Sequence, residues 1–191
     1  RQIEMEIQDL SLKGLKLLVP RQFKDDRGCF WETWQEGMLL DEEGSPLRFV
    51  QDNLSISKAG ALRGIHFQRA PYAQGKLVRA VAGSILDVVV DLRAASSTRG
   101  QVVMAKLSAL NGHQLWVPAG FGHGFIALED QTTVEYRCTA SYHPESEGSI
   151  RWNDPDVAID WQMESLREIG APLLSEKDAM APLLKDIDWP F

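Results

Sequence analysis

The chain is poor in the residue types that most often announce a chemistry. It has two cysteines, Cys29 and Cys138, and four histidines, His66, His113, His123 and His143, among 191 residues. The two cysteines do not form a disulfide framework; they read as two buried free thiols in a reducing, cytoplasmic setting. No apolar run approaches the roughly 18 residues that would span a bilayer. Residues Arg1 to Leu10 are polar and acidic, unlike a secretory leader. Positive charge is short as well. Lys plus Arg is 20 against 27 Asp plus Glu, a net charge of −7. That balance excludes general binding to nucleic-acid polymers, which takes a basic face, and a polybasic membrane-surface protein. It leaves room for a small anionic ligand held by a few local cations. Repeats, low-complexity stretches and linkers are missing, so residues 1–191 read as one domain.

What is present is strand pattern. Lys76 to Ala82 is followed by a turn at Gly83-Ser84 and by Ile85 to Leu92, a run rich in β-branched residues. Gln101 to Leu107 alternates, and Asn111-Gly112 is a hairpin turn signal before His113 to Val117. Phe125 to Leu128 and Thr132 to Arg137 add two short runs. The spacing predicts an antiparallel sandwich or barrel rather than alternating βαβ units. Short helices are predicted at Trp34 to Leu40 and Met163 to Ile169. The proline-bearing last 20 residues read as loop with a helical turn around Ser175 to Ala179.

The histidines are the natural place to look for chemistry. His66 sits in Leu62-Arg63-Gly64-Ile65-His66-Phe67-Gln68, and His123 closes Pro118-Ala119-Gly120-Phe121-Gly122-His123. The second segment matches the Pro-x-Gly-x-x-His pattern of the second cupin motif, in which a turn aims a histidine into a jelly-roll cavity. A metal-binding cupin would supply further ligands near His66. Here Gln68 and Lys76 stand there instead, a poor donor set for zinc or iron. No metal and no cofactor is therefore expected.

Many ordered pieces between Asp25 and Asp178 resemble the dTDP-4-dehydrorhamnose 3,5-epimerase family, a metal-independent cupin family. They are Asp25 to Glu32, Phe49 to Ser55, Leu62 to Gln68, Gln74 to Val78, Asp87 to Arg93, Leu115 to Pro118, Gly120 to Phe125, Glu135 to Thr139, Trp152 to Pro155 and Leu174 to Ala179. Cys29, Trp31 and Ser141 depart from the aromatics common at such places. The resemblance implies a mainly β, cupin-type jelly roll with short peripheral helices. It also implies epimerisation at C3 and C5 of a dTDP-linked 4-keto-6-deoxy sugar.

It implies roles residue by residue. His66 is the base, and Asp178 is the carboxylate that pairs with it; a carboxylate on one ring nitrogen fixes the tautomer and raises basicity. Lys76 stabilises the enolate oxygen, and Tyr136 is the acid on the opposite face. Read without the resemblance, Lys76 is a solvated strand-end lysine and Tyr136 a packing aromatic. Arg27 and Arg63 match arginines on the diphosphate, suited to forked contacts. Phe30, Glu32, Gln51, Asn53, His123, Tyr142 and Lys177 match other positions lining the site. Asp154 and Trp152 are assigned to structure. The Arg27 region would reach a neighbouring subunit's site, which implies a homodimer. Two alternatives stay open: epimerisation at C3 or C5 alone, and a non-catalytic or metal-dependent sugar-binding cupin.

Overall fold

The computed structural model describes residues 5–166 and 170–191. Its strands form two main sheets, with every strand pairing antiparallel. The first sheet runs β1 (Met5–Asp9), β2 (Lys16–Pro20), β10 (Gln114–Val117), β7 (Lys76–Ala82), β12 (Thr132–Cys138) and β5 (Gln51–Ser57). The second runs β13 (Glu147–Ser149), β6 (Leu62–Gln68), β11 (Phe121–Ala127), β8 (Ser84–Asp91) and β9 (Val102–Ser108). A hairpin of β3 (Phe23–Asp25) and β4 (Gly28–Phe30) stands apart with all its residues exposed. The mainly β architecture agrees with the expectation.

The sheets face each other across one half of a shared interior. Val78, Leu115, Val117 and Val134 from the first sheet meet Ile85, Val89, Leu107, Phe121 and Phe125 from the second. Strand β8 is buried along its whole length, which explains why apolar residues stand on both its faces, interrupted only by Ser84, Asp87 and Asp91. Its outer residues Leu86, Val88 and Val90 are covered by the C-terminal segment, including Trp161 and Leu184. Asp154 fastens that cover. Its Oδ1 accepts from the Asp156 and Val157 amides, and its Oδ2 accepts from the Leu184 amide at 2.6 Å.

Several local expectations need correction. Trp34 to Leu40 is not a helix. Gly37 has a φ of +89° there, and Trp34 packs edge-on to Phe49 with ring centroids 4.9 Å apart. Together with Leu39 and Leu47 these side chains cover the outer face of the first sheet, so tertiary packing overrides the local pattern. The Asn111-Gly112 turn exists, with Gly112 at φ +65° and the Asn111 side chain accepting from the Ser108 and His113 amides. It does not close a hairpin, because β9 pairs with β8 while β10 pairs with β2 and β7. The turn at Gly83-Ser84 likewise passes the chain from one sheet to the other. Cys29 is exposed on the hairpin; only Cys138 is buried, and both are free thiols. The predicted helix from Met163 is a 3-10 turn over Met163–Leu166, and residues 167–169 lie outside the described residues. The turn near the C-terminus forms as α1 (Glu176–Ala179). Among the described residues no helix is long and apolar enough to cross a membrane.

One contact sets the geometry of the second sheet. His123 pairs with His66 and Phe125 with Arg63, so β6 uses three steps where β11 uses two. The extra residue is a bulge, and Gly64 sits in it with a φ of +122°. A Cβ there would lie 2.6 Å from Gly124 Cα and 2.8 Å from the His123 carbonyl oxygen. Gly64→Ala is expected to cost about 2 kcal/mol or more, since neither backbone atom has room to retreat. Urea unfolding of the variant against the parent chain measures this loss.

Candidate active site

In a regular strand Arg63 and His66 would face opposite sides. The bulge at Gly64 turns both toward the interior between the sheets. They line a cavity of about 450 Å³ that fills the polar half of the sandwich. A second space of about 280 Å³ adjoins it and shares His66, Lys76, Tyr136, Tyr142 and Glu147.

The sequence-distant pair His66 and Asp178 meets here. His66 Nε2 lies 2.5 Å from Asp178 Oδ1, joining positions 112 residues apart. Asp178 is buried, whereas the His66 side chain keeps 29% of its surface open to the cavity. Helix α1 delivers the carboxylate. Ser175 caps it by accepting from the Asp178 amide at 3.1 Å, a usual N-cap arrangement. Burial alone would raise the Asp178 pKa. The His66 hydrogen bond and charge, with Ser175 and the Gly64 amide, outweigh that and hold it below its ordinary value. The carboxylate therefore stays ionised beside the ring.

Lys76 and Tyr136 enter from the first sheet. Lys76 opens β7 and Tyr136 lies on the neighbouring strand β12, both on the face that turns inward. Burial pushes the Lys76 pKa down, opposed by Cys138, Glu147 and Asp87. Burial pushes the Tyr136 pKa up, with Cys138 and Glu147 acting the same way and Arg63 against. Both groups are thus tuned by desolvation, in directions set by which of their forms is charged.

Behind them lies a second histidine–carboxylate pair. His123 Nε2 is 2.6 Å from Asp87 Oδ1, and both residues are buried. Burial raises the Asp87 pKa against the pull of His123 and Lys76. Each histidine in the cavity thus already has a carboxylate on Nε2, and the ammonium of Lys76 stands beside them. This donor set does not suit a divalent cation.

The wall residues sort clearly. Arg63, Tyr142 and Lys177 line the main cavity with the four central groups and His123. Gln51 and Asn53 lie on the inward face of β5 and border the adjoining space, where the Gln51 amide donates to Asn53 Oδ1 at 3.0 Å. Arg27, Phe30 and Glu32 are not brought to the cavity. Arg27 is paired with Asp25 at 2.6 Å on the exposed hairpin, and Phe30 is 60% exposed. Ser55, Glu147 and Ser175 line the cavity without having been singled out in the sequence, whereas Asp87 does not line it and acts one step back through His123. Glu147 accepts from Tyr142 Oη at 2.8 Å and from Lys177 Nζ at 2.5 Å. Asp87 stood inside a recognised motif, and its place two residues from Val89 on the inward face was the available signal. Glu147 opens the three-residue strand β13, too short to leave such a signal in the sequence.

Comparison with known proteins agrees with this architecture. The family model for dTDP-4-dehydrorhamnose 3,5-epimerase matches residues 9–186. The dTDP-4-dehydrorhamnose 3,5-epimerase of Pseudomonas aeruginosa is 46% identical over 184 residues, covering 96% of this chain and 98% of that protein. Among solved structures, the dTDP-6-deoxy-D-glucose-3,5-epimerase of Legionella pneumophila, in complex with dTDP-4-keto-L-rhamnose, is 44% identical with a TM-score of 0.88. It covers 97% of this chain and 95% of that one. A 3'-monoepimerase from Streptomyces bikiniensis, in complex with dTDP-quinovose, is 34% identical with a TM-score of 0.85, over 93% and 87% of the two chains. With a family model spanning nearly its whole length and relatives this similar end to end, the chain belongs to the dTDP-4-dehydrorhamnose 3,5-epimerase family.

Proposed function

We propose that this chain epimerises C3 and C5 of a dTDP-linked 4-keto-6-deoxy sugar, giving dTDP-4-dehydro-L-rhamnose, by proton transfer through enolates and without a metal. The observation that carries the reading is the His66–Asp178 pair opening onto a cavity shared with Lys76 and Tyr136. The 4-keto group acidifies both neighbouring C–H bonds. His66, its Nε2 held by the ionised Asp178, uses Nδ1 to take the proton. The Lys76 ammonium receives the charge that develops on the keto oxygen, where a preorganised cation is most effective. Tyr136 stays protonated at neutral pH and returns a proton from the opposite face. Arg63 and Lys177 are positioned to receive the diphosphate, which reconciles an anionic ligand with a chain of net charge −7.

The same reading makes the working unit a homodimer. Its support is the free-standing hairpin that carries Arg27 and Phe30, together with exposed Leu54 and Ile56 on the edge strand β5 and Val50 just before it. The hairpin of one subunit would then supply Arg27, Phe30 and Glu32 to its neighbour's cavity. Two free thiols suit a reducing, cytoplasmic compartment.

Incubation of the sugar nucleotide with the protein in deuterated water is expected to place deuterium at both C3 and C5, read by NMR. Label at one carbon would identify a single-carbon epimerase, and label at neither would sink the reading. Asp178→Asn is expected to lower kcat by about 10²–10⁴-fold with KM changed less than about threefold, measured by steady-state kinetics. For kcat/KM against pH, the depressed Lys76 pKa places the alkaline limb below the ordinary lysine range. Activity is present while Lys76 is protonated and is lost as pH rises through its pKa. Tyr136→Phe should keep that limb, slow re-protonation more than proton removal, and so wash label into recovered substrate.

A further inference from the structure

His66 reaches the cavity from the second sheet and Asp178 from the C-terminal segment, whereas Lys76 and Tyr136 reach it from the first sheet. Proton transfer between them therefore depends on how far apart the two sheets stand at this end of the sandwich. Gln68, two residues beyond His66 on β6, is placed to set that distance. Alternation gives it the same face as His66, and it is buried, with 4% of its surface exposed.

Its carboxamide is spent on the loops of the first sheet. Nε2 donates to the Tyr72 carbonyl at 2.5 Å and to the Ser141 carbonyl at 3.0 Å, and Oε1 accepts from the His143 amide at 2.9 Å. Both N–H donors are used, so the group can face only one way; reversed, its oxygen would confront two carbonyls. Tyr72 stands four residues before Lys76, and Ser141 five after Tyr136. The two loops are also laced to each other. The Gly75 amide donates to Thr139 Oγ1 at 2.8 Å, Gln74 Nε2 donates to the Ala140 carbonyl at 2.7 Å, and the Tyr72 and His143 rings stack with centroids 3.7 Å apart. They form one unit, which Gln68 grips from the second sheet.

We propose that Gln68 is a positioning residue: its carboxamide ties the loops that flank Lys76 and Tyr136 to β6 and so fixes the gap across which those two groups face His66. Its effect on turnover rests on the epimerase reading, while the tie itself is open to measurement without turnover.

Gln68→Met keeps the length of the side chain and loses all three bonds. It is expected to lower kcat about 10–100-fold through a widened gap. Tyr142 keeps its own bonds to Gln51 and Glu147, so the Kd for dTDP, read by calorimetry, should change less than about threefold. Gln68→Glu retains only the acceptor and sets a carboxylate against two carbonyls, so it should turn over no faster than the methionine variant. A Gln68→Met enzyme with kcat within about twofold of the parent would overturn the proposal. So would a loss of dTDP affinity as large as the loss in kcat, which marks a group acting on the ligand itself, or a Gln68→Glu enzyme with the parent's kcat. A crystal structure of Gln68→Met is expected to place the Tyr136 hydroxyl about 1 Å or more farther from the His66 ring; an unchanged separation refutes the idea. Hydrogen exchange read by mass spectrometry tests the tie in either variant. Faster exchange in both 69–75 and 139–143, with β8 as protected as in the parent, supports it, and unchanged exchange in either loop counts against it decisively. If the parent chain epimerises nothing, the epimerase reading falls, and the tie stands or falls on the gap and the exchange alone.

Discussion

Strands β6 and β11 approach so closely at Gly64 and Gly124 that neither position has space for a side chain: a Cβ on Gly124 would lie 2.7 Å from the Arg63 carbonyl oxygen. That contact absorbs the extra residue of β6 and reverses the direction of Arg63 relative to His66. Without it, alternation would send one of the two out of the cavity, and a guanidinium and an imidazole could not enter it from one strand. The bulge thus decides the layout on which the His66–Asp178 pair and the Arg63 side of the cavity are built.

Charge in the cavity is arranged by pairing rather than by excess. Asp178, Asp87 and Glu147 each sit against a specific basic partner, His66, His123 and Lys177 respectively. Lys76 has no such carboxylate at contact distance among the described residues, and burial keeps it under electrostatic tension. On the proposed mechanism, a developing enolate oxygen would relieve that tension, an interaction stronger in the transition state than in the free protein, which is the condition for rate acceleration. An acidic chain can in this way hold Arg63 and Lys76 in its cavity with no carboxylate ion-paired to either among the described residues.

How much was legible in the sequence varies with the range of the signal. The β-branched run Ile85 to Leu92 declared a strand, and the turns at Gly83 and Gly112 were visible because a positive φ favours glycine. Where those turns lead was not visible. Pairing partners depend on which sheet needs Leu115 and Leu107 in its core, a long-range matter that a dipeptide does not encode. Trp34 to Leu40 misled because apolar spacing fits a helix as well as a ribbon laid across a sheet. His66 and Asp178 could be joined in advance only through family resemblance, since no local rule relates residues on a strand and a distant turn. Glu147 carries no local mark at all; its place on the cavity wall follows from the pairing of β13 with β6 and from Tyr142 and Lys177 reaching it.

The position of Asp178 in the chain has a consequence for how the molecule comes into being. All strands of both sheets end by Ser149, whereas the carboxylate arrives with α1, 13 residues before the last of 191. Synthesis runs from the N-terminus, so the sheets can be complete while the partner of His66 is still being made. The C-terminal segment that covers the outer face of the second sheet also brings Asp178 round to His66. The His66–Asp178 pair is therefore completed last, by the same segment that seals the core through Leu184, and a chain cut short before α1 would lose both at once.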